Sequence, residues 1–232
     1  MITLRRSEAR GHTKLNWLDS RHTFSFGDYH DSQHMGFGNL RVINEDRVIS
    51  GAGFPTHSHR DMEIITYVLE GALAHKDSTG TSSVIRVGDV QRMSAGTGIS
   101  HSEYNASQTE PVHFLQIWII PVQTGLKPGY EQHSFDVKEK KGSWILVADS
   151  NARDGAVKVH QDVEVSVAIV SKDEQINYST TPTRRLWLQV VRGKVTLNGT
   201  SLSAGDGAAT SEERTLNIAA MDQSELLLFN LA

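Results

Sequence analysis

Two histidines stand one residue apart in PTHSHRDMEI, His57 and His59, and Glu63 follows four positions after the second. Further along, SAGTGISHSEYN places His101 and Glu103 two apart. Neutral imidazole nitrogens and carboxylate oxygens ligate first-row transition metals, and a strand presents residues i and i+2 on one face. Each pair therefore shares a face. Two such strands turned inward supply three nitrogens and one oxygen, a set that holds one divalent metal with positions left open for small ligands. A lone His-x-His pair is more often an exposed strand feature than a ligand pair. The second pair, entered through Gly96 and Gly98, shifts the weight toward a metal centre. The spacing leaves one choice open, because Glu63 also lies an even step from His59. The remaining histidines, His12, His22, His30, His34, His75, His113, His133 and His160, read as structural or surface residues, with His22 and His113 as candidates for lining a cavity.

The elements that must position these residues are strands. RVINEDRVIS, IITYVLEG, SSVIRVGDV, VHFLQIWIIPV, VEVSVAIV, LWLQVVRGKVTLNG and ELLLFNLA are short, rich in β-branched or aromatic residues, and bounded by turn formers. Helical periodicity is scarce; SNARDGAVKV is the best candidate for a helix or turn. One stretch repeats: YVLEGALAHKDSTGTSSVIRVGDV lies beside LQVVRGKVTLNGTSLSAGDG, with Gly71 matching Gly193, Gly80 roughly matching Gly199, and Gly88-Asp89 matching Gly205-Asp206. The expectation is an all-β chain of two tandem barrels, residues 1–125 and residues 126–232, joined by a linker between Gly125 and Gly142 that contains KEKKG. In the second barrel Ser179, Thr181 and Ile218 stand where His57, His59 and His101 stand in the first, so that barrel is expected to hold no metal ligands.

Composition narrows the classes. The net charge is -4 with histidines neutral and there is no basic block, which argues against direct nucleic-acid binding. The chain has no cysteine, so disulfides, thiolate sites and cysteine nucleophiles are excluded. MITLRRSEAR lacks the apolar core of a signal peptide, and FLQIWIIPV is too short to span a bilayer. No membrane association and a cytoplasmic location are the expectation.

Gly51, His57, His59 and Glu63 resemble the first cupin motif, and Gly88, His101 and Asn105 resemble the second. Gly71 falls one place late, Ser94 replaces a proline, and two extra residues separate Gly96 from His101. These departures, with LDSRHTFSFGDYHD, HKDSTG and ARDGAVKVHQD, make the chain resemble the bacterial branch of the pirin family. The resemblance implies two cupin barrels and the ligand set His57, His59, His101 and Glu103, with Glu63 left behind the site, either orienting an imidazole or making a structural hydrogen bond. It also implies one divalent metal, with iron expected and nickel, manganese, cobalt or zinc compatible. The implied activity is that of a quercetin 2,3-dioxygenase, a metal-dependent cleavage of a flavonol-like aromatic substrate by O2 to a depside and CO. In it Glu103 is the catalytic base that takes the flavonol proton. Two other roles stand beside it: a metal-binding regulatory cofactor acting through a protein partner, and a metal enzyme with another substrate.

Overall fold

Glycine turns fix where the strands reverse. Gly71 has φ +74° between strands Glu63–Glu70 and Ala72–Asp77, and a Cβ there would meet the Pro111 carbonyl oxygen at 2.7 Å. Gly193 has φ +80° between Arg185–Arg192 and Lys194–Leu197, with the Gln223 carbonyl oxygen 2.4 Å from the same imagined atom. Only glycine satisfies both demands, a left-handed backbone and no side chain. The second pair of matched turns agrees in chemistry as well. Asp89 accepts a hydrogen bond from the backbone N–H of Arg86 at 2.8 Å, and Asp206 one from that of Ser203 at 3.0 Å. The repeat seen in the sequence is thus a repeat of turn geometry.

The computed structural model describes residues 1–137 and 139–232. It is all-β; its helical segments are the 3-10 turns Ser7–Ala9 and Arg153–Gly155. The latter is what SNARDGAVKV becomes, with Ala152 and Asp154 left-handed at φ 53° and 54°. The chain divides into two compact units: Gly11–Phe135 with Ser150–Gln161, and Met1–Arg10 with Asp136–Asp149 and Asp162–Ala232.

These units are not the two consecutive stretches expected from the sequence, because strand pairing ignores sequence order. Thr3–Arg5 pairs with Gly207–Thr210. Gly129–Ser134, inside the expected linker, pairs with Asp89–Ser94 in register Gly129↔Ser94 to Ser134↔Asp89. Lys138 of the KEKKG run lies outside the described residues.

In the unit that carries the histidine pairs, seven strands form one sheet in the order Gly129–Ser134, Asp89–Ser94, Glu63–Glu70, Val112–Ile119, Leu40–Val48, Leu18–His22 and Gly11–Lys14. Four strands form the other: Gly53–His59, Ile99–Asn105, Ala72–Asp77 and Ser82–Arg86. Leu73 and Ile85 from the smaller sheet pack with Val48, Val68, Val112 and Phe114 from the larger. Each such side chain stabilises the sandwich by about 1.5–3 kcal/mol when fully buried. The second motif's Asn105 ties the end of its strand, its amide donating to the carbonyls of Val48, Ile49 and Glu110.

The other unit has the same plan. Arg185–Arg192, Ser224–Leu231 and Val163–Val170 are neighbours in its larger sheet, and Gln175–Ser179, Thr215–Ala220, Lys194–Leu197 and Thr200–Ser203 form the smaller one. Ile218, the counterpart of His101, is 1% exposed among Leu186, Val195, Leu197 and Leu216.

Candidate metal centre

The four-stranded sheet delivers the histidines by register. His101 sits opposite His57, and Ile99 opposite His59, so one face of two neighbouring strands carries three imidazoles. Their ring centroids are 4.5, 4.8 and 4.9 Å apart, nearly an equilateral triangle. One ligating nitrogen from each lies within 4.8 Å of the others. On the far side of the His101 strand, Glu103 sits opposite His75. His75, His101 and Glu103 also place one ligating atom each within 4.8 Å of one another. The two groups share His101, so Glu103 lies within 4.8 Å of a ligating nitrogen of the imidazole cluster on its His101 side.

A bulge falls between His101 and Glu103 in the pairing with Gly53–His59, where Glu103 is opposite Phe54. Gly53 lets the strands close at this bulge. A Cβ on it would lie 2.2 Å from the Glu103 carbonyl oxygen and 2.5 Å from Tyr104 Cα, so the constraint is one of space.

Several features fit a divalent cation. His57 Nδ1 lies 2.8 Å from the Pro55 carbonyl oxygen; donating there leaves Nε2 with its lone pair free. Both ring nitrogens of His101 are buried without a hydrogen-bond partner. Orphaned buried polar atoms are costly, by about 1–3 kcal/mol each, and a ligand relieves the cost. Burial pushes the His101 imidazole down to about 3, helped by His57 and His59, and pushes His59 down to about 4. Both rings are thus neutral at physiological pH, the form that binds metal.

Glu103 is 3% exposed, and both its oxygens accept from Gln116 Nε2, at 3.0 and 2.9 Å. Gln116 is oriented in turn by Thr66, whose hydroxyl donates to Oε1 at 3.0 Å. Burial pushes the Glu103 carboxyl up to about 7 in the metal-free protein. A cation facing it would reverse that shift.

A cavity of about 90 Å3 opens over the cluster, lined on its polar side by His57, His59, Glu103, Gln116 and Asp46, and on its apolar side by Phe26, Phe54, Leu18 and Trp118. Trp118 meets the His59 ring edge-on at 4.9 Å. His22 also lines the cavity, held by Asn44 at 2.9 Å and Thr13 at 2.9 Å. His113 does not: it pairs with Glu45 at 2.9 Å. Burial drives Asp46 up to about 7, with Glu45 adding to the shift and Ser20 opposing it.

Glu63 lies elsewhere. Its strand is separated from Gly53–His59 by a break at Asp61, φ 48°, and belongs to the other sheet. Even spacing holds only along an uninterrupted strand, so it does not carry across this turn. The Glu63 carboxylate, 1% exposed, accepts from the backbone N–H of His160 at 3.1 Å and contacts His160 Nδ1 at 3.2 Å. It makes a structural hydrogen bond, the second of the two roles considered for it, to a histidine outside the cluster, and orients none of the three clustered imidazoles.

Sequence reasoning passed over Asp46, His75, Asp77 and Gln116. Three of these left a signal. His75 and Asp77 are themselves two apart on one strand, and Gln116 is the polar residue inside the apolar run FLQIWII.

Residues 3–119 match the family described as Pirin, and residues 146–231 match one described as the quercetinase C-terminal cupin domain. A protein named quercetin 2,3-dioxygenase from Escherichia coli (strain K12) is 51% identical, over 100% of this chain and 99% of that one. The crystal structure of the bacterial pirin YhhW from Escherichia coli in complex with nickel(II) superposes with a TM-score of 0.95 at 50% identity, covering 100% of this chain and 99% of that one. A quercetin 2,3-dioxygenase from Acinetobacter baumannii, 18% identical, shares the fold at a TM-score of 0.80 over 98% of this chain and 85% of that one. Among the described residues no helix is long and apolar enough to cross a membrane. The chain belongs to the pirin family, as a two-cupin, quercetin 2,3-dioxygenase-like metal enzyme.

Proposed function

We propose that His57, His59, His101 and Glu103 hold one divalent metal and that the protein cleaves a flavonol such as quercetin with O2, giving a depside and CO. The observation that carries this reading is Glu103: a buried carboxylate, steered by Gln116, beside three clustered imidazoles at the floor of an apolar-walled cavity. Iron is the metal expected in the cell, and nickel suits nitrogen and oxygen donors of this kind; the Escherichia coli pirin forms a complex with nickel(II).

A divalent metal bound there supplies Lewis acidity to an enol hydroxyl and its neighbouring carbonyl. The residues supply the rest. Glu103 receives the proton of the 3-hydroxyl as general base, and Gln116 keeps the carboxylate aimed while it does so. Phe26, Phe54 and Trp118 provide flat apolar walls for an aromatic bicycle and exclude water from the oxygenation. In the overall reaction the C2–C3 and C3–C4 bonds break, one oxygen atom of O2 enters at each of C2 and C4, and C3 departs with its own oxygen as CO. Mass and electrons balance with O2 as the sole oxidant.

Reconstituted protein, incubated with quercetin, is expected to consume O2 and release CO in equal amounts. Full metal occupancy with no turnover overturns the flavonol assignment and favours another substrate or a role through protein contacts.

A further inference from the structure

His75 is outside the proposed ligand set, yet it is 2% exposed beside that set. Its ring lies 5.3 Å from that of His101, at an interplanar angle of 49°. His75 Nε2 lies 3.0 Å from Asp77 Oδ2, while His75 Nδ1 is buried without a partner, as are both nitrogens of His101. Three orphaned nitrogens on two neighbouring rings are too many for a well-formed interior, where nearly all buried polar groups are paired.

One proton arrangement pairs all of them. The Asp77 carboxylate accepts from His75 Nε2–H, so His75 Nδ1 carries a lone pair. That lone pair accepts the N–H of one His101 nitrogen, and the other His101 nitrogen is left with its lone pair for a cation. The ring centroids are 5.3 Å apart, so the usual hydrogen-bond distance of about 3 Å is reached when both rings turn their facing nitrogens toward each other. The Tyr130 ring, tilted 35° over His75 at 4.8 Å, holds the other face.

We infer that Asp77 and His75 form a positioning chain that fixes the tautomer of His101 and presents its free nitrogen to the metal; this rests on the ligand set proposed above. Metal-bound imidazoles commonly donate their second N–H to such a partner, and loss of that partner typically costs 10–100-fold in affinity. A second metal seated on His75, His101 and Glu103 would compete with the first, because it would draw on His101 and Glu103, which the ligand set above already uses.

Asp77 offers a decisive variant. Its Oδ1 accepts from the Thr79 backbone N–H at 2.8 Å, the Thr79 hydroxyl at 2.6 Å and the Thr81 backbone N–H at 3.2 Å. In Asp77→Asn those donors keep the amide oxygen where Oδ1 is, so the amide NH2 faces His75. His75 Nε2 must then accept, its proton moves to Nδ1, and the chain is reversed. His75→Asn instead puts a carbonyl oxygen close to the place of Nδ1 and retains an acceptor; His75→Leu removes it.

The test is Ni(II) titration of chelator-treated full-length protein, paired with 15N-histidine NMR of the metal-free and Zn(II)-loaded forms. Expected are about 10–100-fold weaker Ni(II) binding for Asp77→Asn and His75→Leu, near-native binding for His75→Asn, and a His75 proton on Nε2 in the native protein that moves to Nδ1 in Asp77→Asn. Native affinity in both Asp77→Asn and His75→Leu overturns the inference. So does a native His75 protonated on Nδ1, or a zinc-coordinated shift at Nδ1, which would make His75 a ligand. If the native protein binds neither Ni(II) nor Zn(II), the metal reading itself fails, and the tautomers of the metal-free protein still decide whether the chain exists.

Discussion

Glu63 and His160 are partners: a carboxylate that the sequence offers to the metal instead accepts the backbone N–H of a residue 97 positions away and contacts that residue's ring. Ser94 Oγ reaches the same ring nitrogen at 3.2 Å. The glutamate is a fastening between distant segments of one unit, and it is spent there.

Glu63→Gln and Glu103→Gln should therefore separate cleanly. A glutamine at 63 keeps one carbonyl acceptor for the His160 N–H, so a stability loss of about 1 kcal/mol is expected with metal affinity unchanged. A glutamine at 103 removes the charged donor and the base. Its metal affinity should fall by more than the roughly 10–100-fold typical of groups behind the ligands, and turnover should stay lost when metal is forced in. Metal titration and single-turnover kinetics on both variants check this. A dead Glu63→Gln beside an active Glu103→Gln would reverse the assignment.

His59→Ala should abolish both metal retention and turnover. It removes one corner of the imidazole triangle and the ring that Trp118 abuts. Elemental analysis after gel filtration is the measurement; equal metal content in variant and native protein contradicts the ligand set.

The metal-free protein should show a pH dependence traceable to Glu103. Its carboxyl goes from an ordinary value of 4.5 up to about 7 on folding. The folded state therefore binds the proton more tightly. The associated stability is complete below about pH 4.5 and is lost as pH rises through about 7. Glutamine cannot titrate. The melting temperature of the native apoprotein, measured relative to Glu103→Gln, should thus fall by several degrees between pH 5 and pH 8, at roughly 2–4 °C per kcal/mol. A difference that stays flat, or rises with pH, refutes the burial cause.

Gly71→Ala should destabilise by at least about 1–2 kcal/mol from the left-handed backbone alone, with the Pro111 carbonyl adding to it. Chemical denaturation reads this directly. An unchanged midpoint would mean that the turn relaxes without cost.

Much of this was legible beforehand because strand parity is a local rule. His57 with His59, and His101 with Glu103, needed no more than an even step on one strand. The matched glycines gave the repeat because a tight reversal demands φ above zero wherever it occurs. What escaped needed information that a local rule lacks. Asp61 turns left-handed and breaks parity before Glu63. Gly129–Ser134 looked like linker because its partner strand lies 35 and more residues upstream. Asp46 and Gln116 reach the cavity from the other sheet, and only the packing of two sheets brings them to Glu103.

Gly53 has no functional group, and its carbon backbone takes part in no chemistry. Yet any side chain there would strike the main chain of Glu103 and Tyr104. A saturation scan scored on activity would rank this position with the histidines, as intolerant as a ligand. A reader of that scan would look for a role in the reaction and find only a space that the next strand already fills: the site depends on an atom that must not be present.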